Sequence, residues 1–206
     1  MNPYLKDEHF DAPECPGLHR LLRGWLKAQR DYATAMESGD HASRYHERAL
    51  IGFLAAAAWR DKGVALEEWR TDKTRPNVDP PSKGRCDLYL YRKEHYEFNI
   101  EAKHMWSRAT GHAPVEAIKK NLERAVIAVN QLPCSKKEKL AVLFIAPYYP
   151  IGKQRDMANH IASWLEDICT IRPRAGIAWL LRDRHSLCPS DEYNVGPGIV
   201  LLAQTV

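Results

Sequence analysis

The chain is short of several things, and each shortage removes a class of protein. No stretch approaches the roughly 18 apolar residues that a membrane-spanning helix needs, and the opening "MNPYLKDEHF" has no apolar core of a signal peptide. Five cysteines (Cys15, Cys86, Cys134, Cys169 and Cys188) are odd in number and widely spaced, with no CxxC pair. A zinc ribbon or a disulfide scaffold is therefore not expected, and reduced thiols in a cytoplasm are. Neither GxGxxG nor GxxxxGK[ST] occurs, so nothing supports a nucleotide-binding loop. Ser107 has no His–Asp setting that would mark a nucleophile, and the histidines (His9, His19, His41, His46) follow no ligand spacing. Internal repeats and low-complexity tracts are missing too.

What remains is an ordinary globular composition. Of the 206 residues, 45% are hydrophobic and 27% charged, with a formal charge of +4. That length suits one domain, residues 1–206. The mild basic excess permits a polyanionic partner without demanding one.

Periodicity supplies the elements. "GLHRLLRGWLKAQRDYATAM" places Leu18, Leu21, Leu22, Trp25 and Leu26 on one helical face, predicting an N-terminal helical extension over about residues 1–37. A second helix, predicted as the longest, covers "HASRYHERALIGFLAAAAWRDK", with Ser38 or Asp40 as its cap and Gly63 as its stop. "VALEEWRT" reads as a strand and the Pro-rich "DKTRPNVDPPSKG" as a loop. "RCDLYLYR" and "YEFNIEAK" read as two strands around a turn at Lys93 to His95. Then come a helix after Pro114, the doubly apolar strand "KLAVLFIAP", a helix carrying Met157, Ile161, Trp164, Leu165 and Ile168, and two closing strands. The strand–helix–strand step predicts a right-handed parallel crossover in a mixed sheet. The fold class is α/β, a mixed central sheet flanked by helices.

Alternation along "YEFNIEAK" sends Phe98, Ile100 and Ala102 to one face and Glu97, Asn99, Glu101 and Lys103 to the other. Glu101 and Lys103 are then same-face neighbours roughly 6 to 7 Å apart. Asp87 approaches Glu101 if the two strands pair antiparallel and diverge at this end. Facing carboxylates repel unless a cation lies between them, and hard oxygen donors suit Mg²⁺. A lysine beside them can orient water and neutralise charge on a phosphate. The carbonyl of Ala102 adds another oxygen. Glu47 lies on the stripe of Leu50, Ile51, Leu54 and Ala58, where a carboxylate needs a partner, and Arg44 or Arg48 could supply one.

Asp87 followed by Glu101-Ala102-Lys103, with an apolar strand before the acid, resembles the PD-(D/E)XK nuclease superfamily, although Cys86 stands where the motif usually has proline. The resemblance covers about residues 40 to 145. It implies a restriction-endonuclease-like core with an extra N-terminal helix, and Mg²⁺-dependent hydrolysis of DNA, with Mn²⁺ able to substitute. By that resemblance Asp87, Glu101, Ala102 and Glu47 hold the metal, and Lys103 serves the nucleophilic water. Lys73, Arg75 and Lys83 in the Pro-rich segment, His104 at the rim, and Lys119 and Lys120 on the following helix are the candidate nucleic-acid contacts. Nucleases of this fold often dimerise so that two sites meet two strands, but the sequence carries no interface signature. Two rivals stand beside this reading: a non-catalytic nuclease-fold module that binds nucleic acid or a protein, and a structural domain in which Asp87, Glu101 and Lys103 form a surface salt-bridge group.

Overall fold

The computed structural model describes residues 8–36, 40, 42–75, 78–133, 137–181, 188–189 and 194–206. In chain order the elements are β1 (Glu8–Asp11), α1 (Pro16–Ala35), α2 (Glu47–Arg60), β2 (Val64–Arg75), β3 (Val78–Arg92), β4 (Tyr96–Arg108), α3 (Val115–Asn130), β5 (Glu138–Pro150), α4 (Met157–Cys169), β6 (Gly176–Leu181), β7 (Cys188–Pro189), β8 (Asn194–Gly196) and β9 (Gly198–Thr205). The main path of the sheet runs β1-β6-β9-β5-β4-β3-β2. Neighbours along it are antiparallel except β4 and β5, which run parallel and are joined through α3. This is an α/β fold, a mixed sheet with helices on both faces. No described helix is long and apolar enough to cross a membrane.

The two faces bury different halves of the same strands. On β5, Leu140, Val142 and Phe144 pack under α1 and α2, while Leu143 and Ile145 pack under α3 and α4. A strand apolar at every position is what a doubly covered central strand requires. All five stripe residues of α4 are buried. The α1 stripe is buried as well, with Trp25 and Leu22 fully enclosed. The N-terminal segment is therefore no mere helical extension: β1 pairs with β6 at the sheet edge, and α1 packs into the main core.

Expectations for the second helix need correcting. The second helix starts at Glu47, after a 3-10 turn at Ala42–Arg44, and α1 is longer than it, 20 residues against 14. Asp40 does not cap it; its carboxylate accepts the hydroxyls of Tyr32 and Tyr45, which holds the preceding chain off the helical path. Ser38 and His41 lie outside the described residues. At the other end Lys62, not Gly63, adopts the left-handed conformation, with φ of 60°.

The described part of the Pro-rich segment is strand rather than loop; Pro76 and Asn77 lie outside the described residues. β2 continues to Arg75 and β3 begins at Val78, so the two form a long antiparallel arm. Proline cannot donate to a ladder and is tolerated at bulges and where a strand side is unpaired. Both conditions hold for Pro80 and Pro81. They fall where the register shifts between the Lys73–Ser82 and Arg75–Val78 pairs. On the other side, β4 pairs with β3 only from Leu88 to Arg92.

Candidate functional site

The site begins where β3 and β4 part. Their ladder ends at Leu88–Ile100, and the next residue of β3, Asp87, turns its side chain across the seam: Asp87 Oδ2 accepts the Ala102 backbone N–H at 2.9 Å. The neighbouring ladder explains the turn. Pairing of β2 with β3 runs Glu67–Leu88 and then Trp69–Cys86, and Glu68 between them, across from Asp87, has φ of 51°. Such an irregularity re-aims the side chains around it. Leu88 and Leu90 accordingly join the core under α1 and α2, whereas Cys86 joins the core under α3.

Cys86, in the position where the motif usually has proline, is fully buried, with Sγ 3.4 Å from Leu88 O and 3.5 Å from Ile100 O. Burial pushes its thiol pKa up to about 11, so it remains protonated and tethers the parting strands.

Along β4 the alternation is as read from sequence, but the polar face is not a wet one. Phe98, Ile100 and Ala102 pack under α1 and α2, while Glu101 is only 3% exposed. Its carboxylate is no surface decoration. Burial raises its pKa, with the Asp87 charge adding to that, while Lys73 and Lys103 oppose it. Lys73 Nζ donates to Glu101 Oε1 at 2.7 Å. The sequence reading names Lys73 as a candidate nucleic-acid contact; in this structure its ammonium engages Glu101.

Lys103 lies at the outer end of the group. Its Nζ donates to Ala102 O at 2.5 Å and stands 3.9 Å from Glu47 Oε1. Glu47 comes from the first turn of α2, on the far side of the sheet from α3, and meets β4 because the seam is open. It pairs with neither Arg44 nor Arg48: those reach Asp40 and Glu68. Burial raises the Glu47 pKa; the Lys103 charge and a hydrogen bond from the His104 backbone work against it, and Asp87 and Glu68 work with it. Four expected residues, Glu47, Asp87, Glu101 and Lys103, thus share one neighbourhood, drawn from three separate elements.

The outer candidates divide. His104 is half-buried rather than at a wet rim, its ring edge-on to His46 and Trp106 at 6.3 and 5.3 Å. Its Nε2 is buried with no hydrogen-bond partner among the described residues. Burial, reinforced by His46, depresses its pKa to about 4. Lys83 is exposed on the arm, in a groove with Arg70, Asp72 and Arg85. Arg75 ends β2, and its side chain lies outside the described residues. Lys119 and Lys120 are exposed on α3, where Lys119 pairs with Glu116 and borders a groove with Arg174 and Gln204. Nothing described brings them to the acids, because their positions on α3 alternate with the buried stripe of Ile118 and Leu122.

Sequence reasoning missed Lys73 as a member of the acid group. No local pattern marks it, because the contact joins two strands across a third.

Do these residues suit a metal? Among the described residues no three or more His, Cys, Asp and Glu side chains converge as a ready metal cluster. The oxygens face ammonium groups instead, Lys73 on Glu101 and Lys103 on the Ala102 carbonyl. Carboxylates and a carbonyl are hard donors that suit a hard divalent cation, and the lysines stand in as cations. By donor chemistry alone the set Asp87, Glu101 and the Ala102 carbonyl is of the kind such an ion takes, and Lys73 holds the Glu101 oxygen in this structure.

No family model, no curated protein and no solved structure matches this chain.

Proposed function

We propose that this protein is a Mg²⁺-dependent nuclease that hydrolyses DNA phosphodiester bonds. The observation that carries the reading is a seam opened between two strands, where Asp87 bonds the Ala102 N–H between Glu101 and Lys103, and Lys103 stands 3.9 Å from Glu47. The resemblance of Asp87 and Glu101-Ala102-Lys103 to the PD-(D/E)XK pattern supports it, as does the parallel strand–helix–strand step that follows.

Asp87, Glu101, the Ala102 carbonyl and Glu47 would hold the cation, with Mn²⁺ able to replace Mg²⁺. Bound there, a divalent cation supplies Lewis-acid polarisation of the phosphate and a more acidic water. Lys103, with its side chain a third exposed, reaches the open side of the group. It directs hydrogen bonds to the attacking water and neutralises charge that builds on the phosphate oxygens. Water adds to phosphorus and gives up a proton to solvent, and the ester oxygen on the opposite side leaves with the bonding pair and takes up a proton. The free thiols of Cys15, Cys86 and Cys169 agree with a reducing, cytoplasmic setting.

A second reading draws on the Lys73–Glu101 contact: a buried ion pair in place of a metal suits a non-catalytic nuclease-fold module. One experiment separates the two. Linear, circular, single-stranded and branched DNA are incubated with wild type and Lys103→Ala, in Mg²⁺, in Mn²⁺ and in chelator. Metal-dependent cutting that disappears in the variant is the expected result. Cutting that survives chelator and the substitution would overturn the site; no cutting and no metal response would leave the non-catalytic module.

A further inference from the structure

Lys73 reaches Glu101 by a route that the fold keeps clear. It stands on β2, and β3 separates that strand from β4. Its side chain runs over Gly84 of β3: a Cβ added there would lie 2.8 Å from Lys73 Cγ, 2.9 Å from Cδ and 3.3 Å from Cε. Any other residue at 84 would obstruct the stem. The backbone just beyond is anchored, since the Thr74 N–H donates to Gln131 O at 2.8 Å, at the C-terminal end of α3. The ammonium arrives 2.7 Å from Glu101 Oε1, with the lysine side chain 14% exposed and the glutamate 3%. A channel, an anchor and a buried ion pair meet at one oxygen.

We propose that Lys73 is a tethered cation that occupies Glu101 until a divalent metal displaces it, so that metal loading and release of Lys73 are one event. The proposal rests on reading Glu101 as a metal-holding carboxylate. Two positive charges cannot share one buried carboxylate oxygen at contact distance, so each ion must weaken the other. The empty site is thereby neutralised, and a buried carboxylate is not left facing the repulsion of Asp87. Loading in turn frees a positive charge beside the place where an anionic substrate enters.

Two substitutions test it by different means. Lys73→Met removes the charge and keeps the stem; Gly84→Ala keeps the charge and fills the channel, against a flexible side chain that can move aside. Mn²⁺ and Mg²⁺ affinities are measured by titration calorimetry and by metal-induced thermal shift, without DNA and at constant ionic strength, with Glu101→Gln as the control that loses the ligand. Both variants are expected to bind Mn²⁺ about tenfold more tightly than wild type. Equal affinities in wild type and Gly84→Ala, or in wild type and a folded Lys73→Met, would overturn the tethered-cation role while leaving the metal site standing. No binding by any of the proteins would overturn both. If Lys73→Met does not fold, Gly84→Ala carries the comparison alone.

Discussion

Asp87 Oδ2 accepts the backbone N–H of Ala102 at 2.9 Å, one residue past the last β3–β4 pair. The side chain does what the missing ladder bond would have done, because Ala102 is fully buried and its N–H has no water to turn to. This couples the stability of the seam to a residue of the candidate site. Asp87→Ala is expected to cost about 1–3 kcal/mol, the range for leaving a buried donor unpaired. Asp87→Asn keeps a carbonyl acceptor, so it should stay within about 1 kcal/mol of wild type while losing cleavage. Urea unfolding measured beside cleavage checks both; equal stability losses in the two variants would refute the coupling.

Lys103 and Lys119 offer a contrast between two basic residues. Lys103 borders the acids, whereas Lys119 pairs with Glu116 on the exposed surface of α3. Lys103→Met should lower cleavage by at least about 100-fold, the scale of losing a charge-stabilising donor. Lys119→Ala should leave cleavage within about twofold, since it removes only an exposed i,i+3 pair. A large loss from Lys119→Ala would bring α3 back into the substrate path.

His104 gives the protein a pH signature. Its folded-state pKa is depressed to about 4, below the ordinary 6.5, by burial and by His46. As pH falls below about 6.5 the unfolded chain takes up a proton that the folded chain resists, so this group lowers stability progressively down to about pH 4. The loss levels off below that, at no more than about 3 kcal/mol given the partial exposure of the ring. The raised carboxyls of Glu47 and Glu101 act in the opposite direction at the acid end. The difference between wild type and His104→Gln, followed by denaturant unfolding from pH 8 to pH 4, therefore isolates the histidine. Parallel curves would disprove the assignment.

Two glycines test how tightly the far side of the sheet is built. Gly198 has φ of 151°, and a Cβ there would lie 2.1 Å from Leu180 O and 2.8 Å from Leu181 Cα, both on the backbone of the paired strand β6. Gly198→Ala should cost at least about 3 kcal/mol, from conformation and overlap together. Gly52, inside α2, has nothing within 4 Å of that position, and Gly52→Ala should stabilise by about 0.5–1 kcal/mol. Melting temperatures of the two variants should move in opposite directions.

Much of the frame was legible in local pattern. The apolar stripe of α4, the doubly apolar β5, the Lys93–His95 turn and the alternation of Phe98, Ile100 and Ala102 all follow from period and composition, and all hold in the structure. Asp87, Glu101 and Lys103 were likewise readable as strand-borne charges near one another. These are short-range regularities, carried by the repeat of a helix or a strand.

Other features were decided by contacts distant in sequence. Val78 to Ser82 looks like a loop until Lys73 to Arg75 supply its ladder, and Asp40 looks like a cap until Tyr32 and Tyr45 take its carboxylate. No local signal shows that α3 covers Glu101, or that Lys73, 28 residues earlier, crosses Gly84 to meet it. Sequence by itself determined the helical stripes, the doubly apolar strand and which residues carry charge. Tertiary structure alone decided which charges lose their water, since burial and ion pairing depend on what packs above a side chain rather than on its neighbours along the chain.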